Sequence, residues 1–375
     1  MGVRHILFVE DDAKIIDLME MAVEAWNAAH VEQDRQFSIE TCKTADEAKA
    51  VLGRTRFDAA LFDLRLPGET KGRSTEPLGN ELALYALQQL GIPVAIMSGN
   101  PNDVDDRLRQ FAIVSVFFKG DKDAYSNAVE WFGGWWDMMA VVAGSRQKIQ
   151  ASSAEIFVKR LWPQWKEFAG IQLAAEGHTS LMDIVTRQYV SHVAELLGLD
   201  GPDHVKWHPF ESYVIPSLWS HRAHTGDIFD FDGDLRIVLT PQCDMANGNV
   251  ANVLLARCSR GEQEWTQRVQ NLKDADTDPK KDKAGKYFRK MINQQLGASQ
   301  HFLPPLPGEA EPVMVDFSDV TVLPLDQVMN ELPKRIASVS APFLTNLTQR
   351  FGAYVSRVGQ PNIDVMYFLP VANGA

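Results

Sequence analysis

Apolar positions in the first part of the chain gather into five short runs, HILFV, FSIETC, FDAALF, PVAIM and IVSVFF, each followed by residues with helical spacing. The helical stretches cover 12–29, 44–53, 78–90, 101–110 and a segment that begins near 121. Short apolar runs bounded by polar turns and separated by amphipathic helices predict a parallel sheet covered on both faces. Right-handed crossovers then give a (βα)5 doubly wound α/β sandwich. In such a sheet ligands gather outside the carboxyl ends of the strands.

Beyond 121 the fifth helix is expected to run on through DAYSNAVEWFGGWWDMMAVV, with Gly133 and Gly134 as a candidate break. Trp131, Trp135 and Trp136 are read as packing between domains. Two further helices are predicted over 152–169 and 179–197. After Pro216 the texture changes to β-like segments, GDIFDF, LRIVLTP, NVLLARC, VMVDF and VTVLPL, with a polar insertion over 259–300. The tail IASVSAPFLTNLTQRFGAYVSRVG reads as one more amphipathic helix, interrupted at Pro342. The expected organisation is an α/β domain over 1–125, a helical connector over 126–215, and an α+β domain with a small β barrel and a helical insertion over 216–375. No internal repeat or low-complexity tract stands out.

Composition narrows the class. With 375 residues, 45% hydrophobic and 23% charged, the chain is long enough for two or three folded units and excludes a largely disordered protein. Its three cysteines, Cys42, Cys243 and Cys258, have no paired metal spacing, so neither a disulfide framework nor a zinc finger is supported. The opening Met-Gly-Val-Arg runs directly into an apolar strand, and no apolar run approaches membrane-spanning length, so the expected location is cytoplasmic, with no membrane partner. A formal net charge of −12 repels phosphate backbones, so nucleic-acid binding requires a local basic patch.

The chemistry lies at four strand ends. Strand one ends in Glu10-Asp11-Asp12, strand three in Asp63, strand four in Ser98 and strand five in Lys119. Crowded carboxylates need a counterion, and a hard cation with oxygen ligands, Mg2+ first, is the natural one. Such a site suits Asp63 as an in-line nucleophile toward a phosphoryl group, with Lys119 neutralising charge and Ser98 donating a hydrogen bond to the product. The alternative for each residue is structural: Asp11 and Asp12 as caps of the first helix, and Lys119 as a counterion.

The segments ILFVEDD, LFDLRLPG, AIMSG and VFFKG stand in an order and spacing that resembles the flavodoxin-like receiver domain of two-component response regulators, over about a third of the chain. The resemblance implies that Asp63 is the phosphoacceptor and that Glu10 and Asp11 are the acidic pair. It also implies that the Arg65 backbone carbonyl is a metal ligand beside Glu10, Asp11 and Asp63. Ser98 corresponds to the hydroxyl that follows the phosphoryl group, and Lys119 to the ion-pairing lysine. Asn100 and the Arg65 side chain stand where family members tune acyl-phosphate hydrolysis. A histidine kinase or phosphotransfer protein is the implied donor, and a homodimer a further partner. Phosphoryl acceptance and acyl-phosphate hydrolysis are the only enzymatic steps implied.

Three positions depart from the family pattern. Val116 stands where an aromatic switch residue is usual, and Phe117 cannot share its face in a strand of period two. Lys119 is followed by Gly120 instead of proline. The loop after strand three carries the insertion ETKGRSTEP, which displaces the expected glycine to Gly79. Val116 and Gly120 keep open a second reading, a constitutive interaction module whose receiver does not switch.

The C-terminal region resembles the SH3-like barrel of MazF and PemK type ribonuclease toxins in the order of its segments. That resemblance implies an RNA-cleaving effector, with Arg257 and Thr240 as the residues to test. From 279 to 290 six Lys or Arg stand against one Asp, a candidate nucleic-acid contact, although Asp274, Asp276 and Asp278 offset its field and nucleic acid is not the favoured partner. His221, His224, Cys243 and Asp244 are a candidate metal set, and Cys243 with His301 a candidate thiol nucleophile; the alternative is that Cys243 is a small apolar filler. No helix-turn-helix signature argues for a transcription factor.

Overall fold

The computed structural model describes residues 2–66, 78–164, 166–167, 181–198, 207–261, 265–358 and 364. Two compact units emerge, Met1–Pro202 and Asp203–Ala375. Pro67, Gly68, the insertion at 69–77 and most of 165–180 lie outside the described residues.

In the first unit β1 (Gly2–Val9), β2 (Arg35–Cys42), β3 (Ala59–Asp63), β4 (Val94–Ser98) and β5 (Val114–Phe118) form one parallel sheet in the order β2-β1-β3-β4-β5. This is the flavodoxin-like doubly wound order, whose direction reverses between β1 and β3. Side chains alternate across it as period two demands. Ile6 and Phe8 enter one apolar layer with Leu61 and Met97, whereas Leu7 and Val9 enter the other with Phe62 and Ile96. Both faces are apolar because helices cover both. α1 (Ala13–Ala29) and α5 (Ala124–Gly134) pack on the first face, and α2 (Ala45–Leu52), α3 (Leu78–Tyr85) and α4 (Asp106–Arg109) on the second. Each fully buried Leu, Ile, Val or Phe contributes roughly 1.5–3 kcal/mol.

The break near Gly133-Gly134 falls at Trp135, which stands between α5 and α6 (Trp136–Ile156). The three tryptophans expected between domains pack instead within this unit. Trp136 meets Phe37 edge-on at 5.0 Å and stacks on Trp26 at 5.7 Å, and Trp131 lies 6.3 Å from Phe117. Glycine at 133 allows this, since a Cβ there would stand 3.0 Å from the Trp26 ring. The helix predicted to begin near 152 is the end of α6, followed by tighter and looser turns through Gln164. A helix over Leu181–Gly198 packs back on it, with Tyr189 stacked on Phe157 at 5.4 Å.

The second unit is built on β6 (Tyr213–Val214), β7 (Asp227–Phe231), β8 (Asp234–Val238), β9 (Asn252–Arg260), β10 (Gln300–Leu303), β11 (Val313–Pro324) and β12 (Arg335–Val339). They form a curled antiparallel sheet in the order β10-β11-β9-β8-β7-β12-β6. Asp232 and Gly233 both have positive φ in the two-residue turn between β7 and β8, a geometry that matches the twist of a hairpin. Ile228, Ile237 and Ala256 face one core, while Phe229, Val238 and Leu255 face another.

Two sequence readings change here. VMVDF and VTVLPL are one strand, β11, whose register against β9 shifts between Asp316 and Val320. A bulge inserts unpaired residues without ending the strand, and its polar Ser318-Asp319 mimics a turn in sequence. IASV belongs to strand β12 and not to the tail helix, which follows Ser340 and spans Ala341–Val355 with Pro342 in its first turn, where a missing N–H costs nothing. The insertion forms helices Trp265–Lys273 and Asp278–Ile292. Among the described residues no helix is long and apolar enough to cross a membrane.

Candidate functional site

The carboxyl edge of the parallel sheet assembles what the sequence distributes over more than a hundred residues. Glu10 follows β1 and is fully buried; its backbone N–H continues the ladder by donating to the Cys42 carbonyl at 3.0 Å. Its Oε1 accepts from the N–H groups of Asp11 and Asp12 at 3.1 and 3.2 Å. Asp12 is the N-cap of α1, accepting from the Lys14 N–H at 2.9 Å, which gives it the capping role and leaves Glu10 and Asp11 as the acidic pair facing Asp63. One carboxylate oxygen from each of Glu10, Asp11 and Asp63 falls within 4.8 Å of the others.

Asp63 ends β3 and is 6% exposed. The Lys119 N–H donates to the Ser98 carbonyl at 2.9 Å, extending the β4–β5 ladder by one residue and carrying the lysine to the same edge. Its Nζ stands 2.6 Å from Glu10 Oε2 and 2.9 Å from Asp63 Oδ2. Burial raises the Glu10 carboxyl above its usual range, and the Asp63 charge adds to this, while the Lys119 hydrogen bond and charge only partly offset them. For Lys119 burial pulls downward, but hydrogen bonds to Asp63 and Glu10 outweigh it and hold the ammonium above its usual value. Three carboxylates therefore face one fixed cation, an excess of negative charge that suits a divalent, oxygen-seeking metal.

A cavity of about 450 Å³ opens over this group, lined also by Ser98, Arg65, Gly99 and Asn100. Ser98 is buried, and its Oγ accepts from the Asn100 N–H at 3.0 Å, which leaves its own proton free to donate into the cavity. The Arg65 N–H reaches Asp63 Oδ1 at 3.3 Å, while its guanidinium pairs with Asp103 at 2.7 Å.

Three residues without an earlier assignment belong to this edge. Asp103 accepts from both Arg65 and the Asn100 Nδ2, the latter at 2.8 Å. Asn80 ties α3 to the same turn, donating to the Asp103 carbonyl at 3.0 Å and accepting from the Asp105 N–H at 3.1 Å. The Tyr125 hydroxyl is buried without a hydrogen-bond partner among the described residues; burial pushes its pKa up to about 12, with Lys119 opposing and Glu10 and Asp63 adding. Only the three-residue step from Asn100 to Asp103 is a local sequence signal.

The departures from the family pattern have structural counterparts. Val116 packs into the layer of Leu7 and Val9, Phe117 into the opposite layer, and Phe118 is 43% exposed. At Gly120 a Cβ would overlap the Phe118 ring, 2.7 Å from Cζ. Gly79 packs directly under the end of β3: its N–H donates to the Leu64 carbonyl at 3.1 Å, and a Cβ would overlap the Asp63 carbonyl and stand 2.8 Å from Leu64 Cα.

The candidates of the second unit stay apart. Thr240 is buried, with its hydroxyl accepting from the Leu254 N–H at 2.7 Å. Arg257 is paired with Asp319 at 3.4 Å. Among the described residues the only group with metal-ligand proximity is that of Glu10, Asp11 and Asp63, so His221, His224, Cys243 and Asp244 do not converge. Cys243 is exposed, whereas His301 is buried beside Phe317.

No family model matches the chain, and no curated protein matches it. The N-terminal third is similar in fold to solved receiver domains. One, the signal receiver domain of an HD domain-containing protein from Pseudomonas fluorescens Pf-5, is 14% identical over 37% of this chain and 99% of its own, with a TM-score of 0.28. Another, the receiver domain of a sensor histidine kinase from Pseudomonas aeruginosa PAO1 with magnesium coordinated in its active-site cleft, is 18% identical over 36% of this chain and 98% of its own, with a TM-score of 0.27. A de novo designed Rossmann 2x3 protein is 22% identical over 35% of this chain and 89% of its own, with a TM-score of 0.26.

Proposed function

We propose that the N-terminal unit carries, over 1–125, the receiver of a cytoplasmic response regulator that accepts a phosphoryl group on Asp63. The observation that supports this best is the Lys119 ammonium at 2.9 Å from Asp63 and 2.6 Å from Glu10, beside three carboxylates that share one small volume. Asp63 attacks the phosphorus of a phosphohistidine or small-molecule donor; a new O–P bond forms as the donor's bond to phosphorus breaks and the leaving group takes the electron pair. Lys119 and the Ser98 hydroxyl stabilise charge on the transferred oxygens. A Mg2+ held by Glu10, Asp11, Asp63 and the Arg65 carbonyl would neutralise the remaining phosphoryl charge. Water later returns the acyl phosphate to aspartate and inorganic phosphate.

In this reading a histidine kinase or phosphotransfer protein supplies the phosphoryl group, 126–215 connects, and 216–375 is the output domain. A second reading, a constitutive interaction module, draws on Val116, an aliphatic residue packed into the core where a mobile aromatic switch would be needed. Incubation with Mg2+ and acetyl phosphate should add one acid-labile phosphate to the chain and none to Asp63→Asn. Absence of any adduct on the unmodified chain overturns the proposal; an adduct that changes neither proteolysis nor partner binding favours the second reading.

A further inference from the structure

At the amino ends of the same strands, opposite the carboxylate cavity, lies a second concavity that phosphoryl transfer does not use. Phe57 precedes β3, Ile92 precedes β4, and Trp135 just ahead of α6, with Met138 and Val142 of α6, lies across them to enclose about 480 Å³. A neighbouring lobe of about 420 Å³ lies further along α6, walled by Ile149 and Tyr189. Both lobes share Phe57 and two arginines, Arg56 and Arg146. Met138, Val142, Arg146 and Ile149 follow one another at helical spacing, so a single stripe of α6 serves the whole groove, and Met138 and Ile149 are exposed on it.

Charge is what singles this groove out. Arg56 makes no ion pair or hydrogen bond among the described residues. Arg146 donates to the Leu90 carbonyl at the end of the helical turn Ala86–Leu90, which places the guanidinium over Gly91 and between the two lobes. The one acid in the lining, Asp58, is already engaged: it accepts from the His5 N–H at 2.9 Å and lies 3.9 Å from Arg4. Two cations thus flank apolar walls without a carboxylate of their own, in a chain whose net charge is −12. Guanidinium groups pair with carboxylates in a bidentate manner, and pockets of this size and lining suit small ligands with one polar end.

We propose that this groove binds a small amphipathic carboxylate, its acid group between Arg56 and Arg146 and its apolar body in the lobe under Met138. The site is separate from Asp63, so it stands or falls independently of phosphoryl transfer.

The full-length chain is titrated by calorimetry with dodecanoate and with 1-naphthoate, each below its aggregation threshold. One saturable site with a dissociation constant on the order of 10 µM is expected, and the tighter of the two acids identifies an aliphatic or an aromatic body. Arg56→Ala, a change at an exposed position, should weaken binding at least about fivefold. Ala143→Trp, which fills the lobe, should abolish it, and Asp63→Asn should leave it unchanged. No saturation up to about 1 mM, equal binding of dodecyltrimethylammonium, or affinity untouched by Arg56→Ala overturns the proposal. A dimer that forms without ligand and dissolves in Arg56→Ala also overturns it, by giving the groove to a second copy.

Discussion

Arg65 and Asp103 form an ion pair at 2.7 Å that joins the loop after β3 to the turn after β4. The same carboxylate accepts from Asn100, so one residue engages two polar walls of the cavity above Asp63. Replacing Asp103 with Ala removes that engagement and leaves a guanidinium and an amide available to a phosphoryl group on Asp63. Charge-assisted hydrogen bonds to an anion are stronger than neutral ones, and the pair is exposed, so the expected effect is modest: the acyl phosphate should persist about threefold longer. Folding stability should change by less than about 1 kcal/mol. Decay of the phosphorylated protein after donor removal measures this, and an unchanged or shortened half-life contradicts it.

Gly79 offers a sharper structural test. Its missing side chain lets α3 lie against the backbone of Asp63 and Leu64. A methyl group there meets backbone, which cannot rotate away, so Gly79→Ala must displace either the helix or Asp63. A cost of about 2–3 kcal/mol and loss of phosphoryl acceptance are expected. Gly99→Ala is the control, because it lines the same cavity and a Cβ there meets nothing within 4 Å. Equal stability of the two variants in thermal denaturation would refute the packing argument.

These two residues also mark how far the sequence could be read. The parallel sheet was legible because its buried strands are apolar runs and its candidate site residues end them, as with Phe62-Asp63. Gly79 was visible as a displaced glycine, although its contact with Asp63 was not. Asp103 could be found only through its three-residue step from Asn100; its pairing with Arg65, 38 positions away, has no local mark. β11 was divided in two because its bulge is as polar as a turn, and β12 was absorbed into a helix because IASVS continues the apolar pattern of the residues after it. The Arg56–Arg146 groove depends on helix α6 crossing strand ends distant in sequence, which no periodicity announces.

His301 should give the second unit a stability that depends on pH. Burial, with the Arg350 charge adding, holds its imidazole down to about 3, well below the ordinary value of 6.5. Between those values the unfolded chain takes up a proton and the folded chain does not, so stability rises with pH across this window and is lost as pH falls. The slope is about 1.4 kcal/mol for each pH unit. His301→Leu should flatten it. Amide exchange in β10 and β11, measured at pH 7.5 and at pH 5, should show a loss of protection near 2 kcal/mol in the unmodified chain and roughly none in the variant. Equal losses in both would assign the dependence to other groups.

Lys119 separates the structural from the chemical role of the carboxylate cluster. Its ammonium lies between Glu10 and Asp63, so Lys119→Met leaves a buried carboxylate pair without its fixed cation. Removing one partner of a buried ion pair strands the other, and a loss of roughly 2–4 kcal/mol is expected in metal-free buffer. The same change deepens the negative potential of the site, so Mg2+ should bind more tightly than to the unmodified protein and recover more stability on saturation, by mass action. Phosphoryl acceptance should nonetheless fall, because the metal cannot replace the lysine at the transferred oxygens. Thermal denaturation with and without Mg2+, run beside a phosphorylation assay, distinguishes the cases. A variant that Mg2+ stabilises less than the unmodified chain would mean that Lys119 helps to hold the metal ligands in place, and the electrostatic account of this edge would have to be reversed.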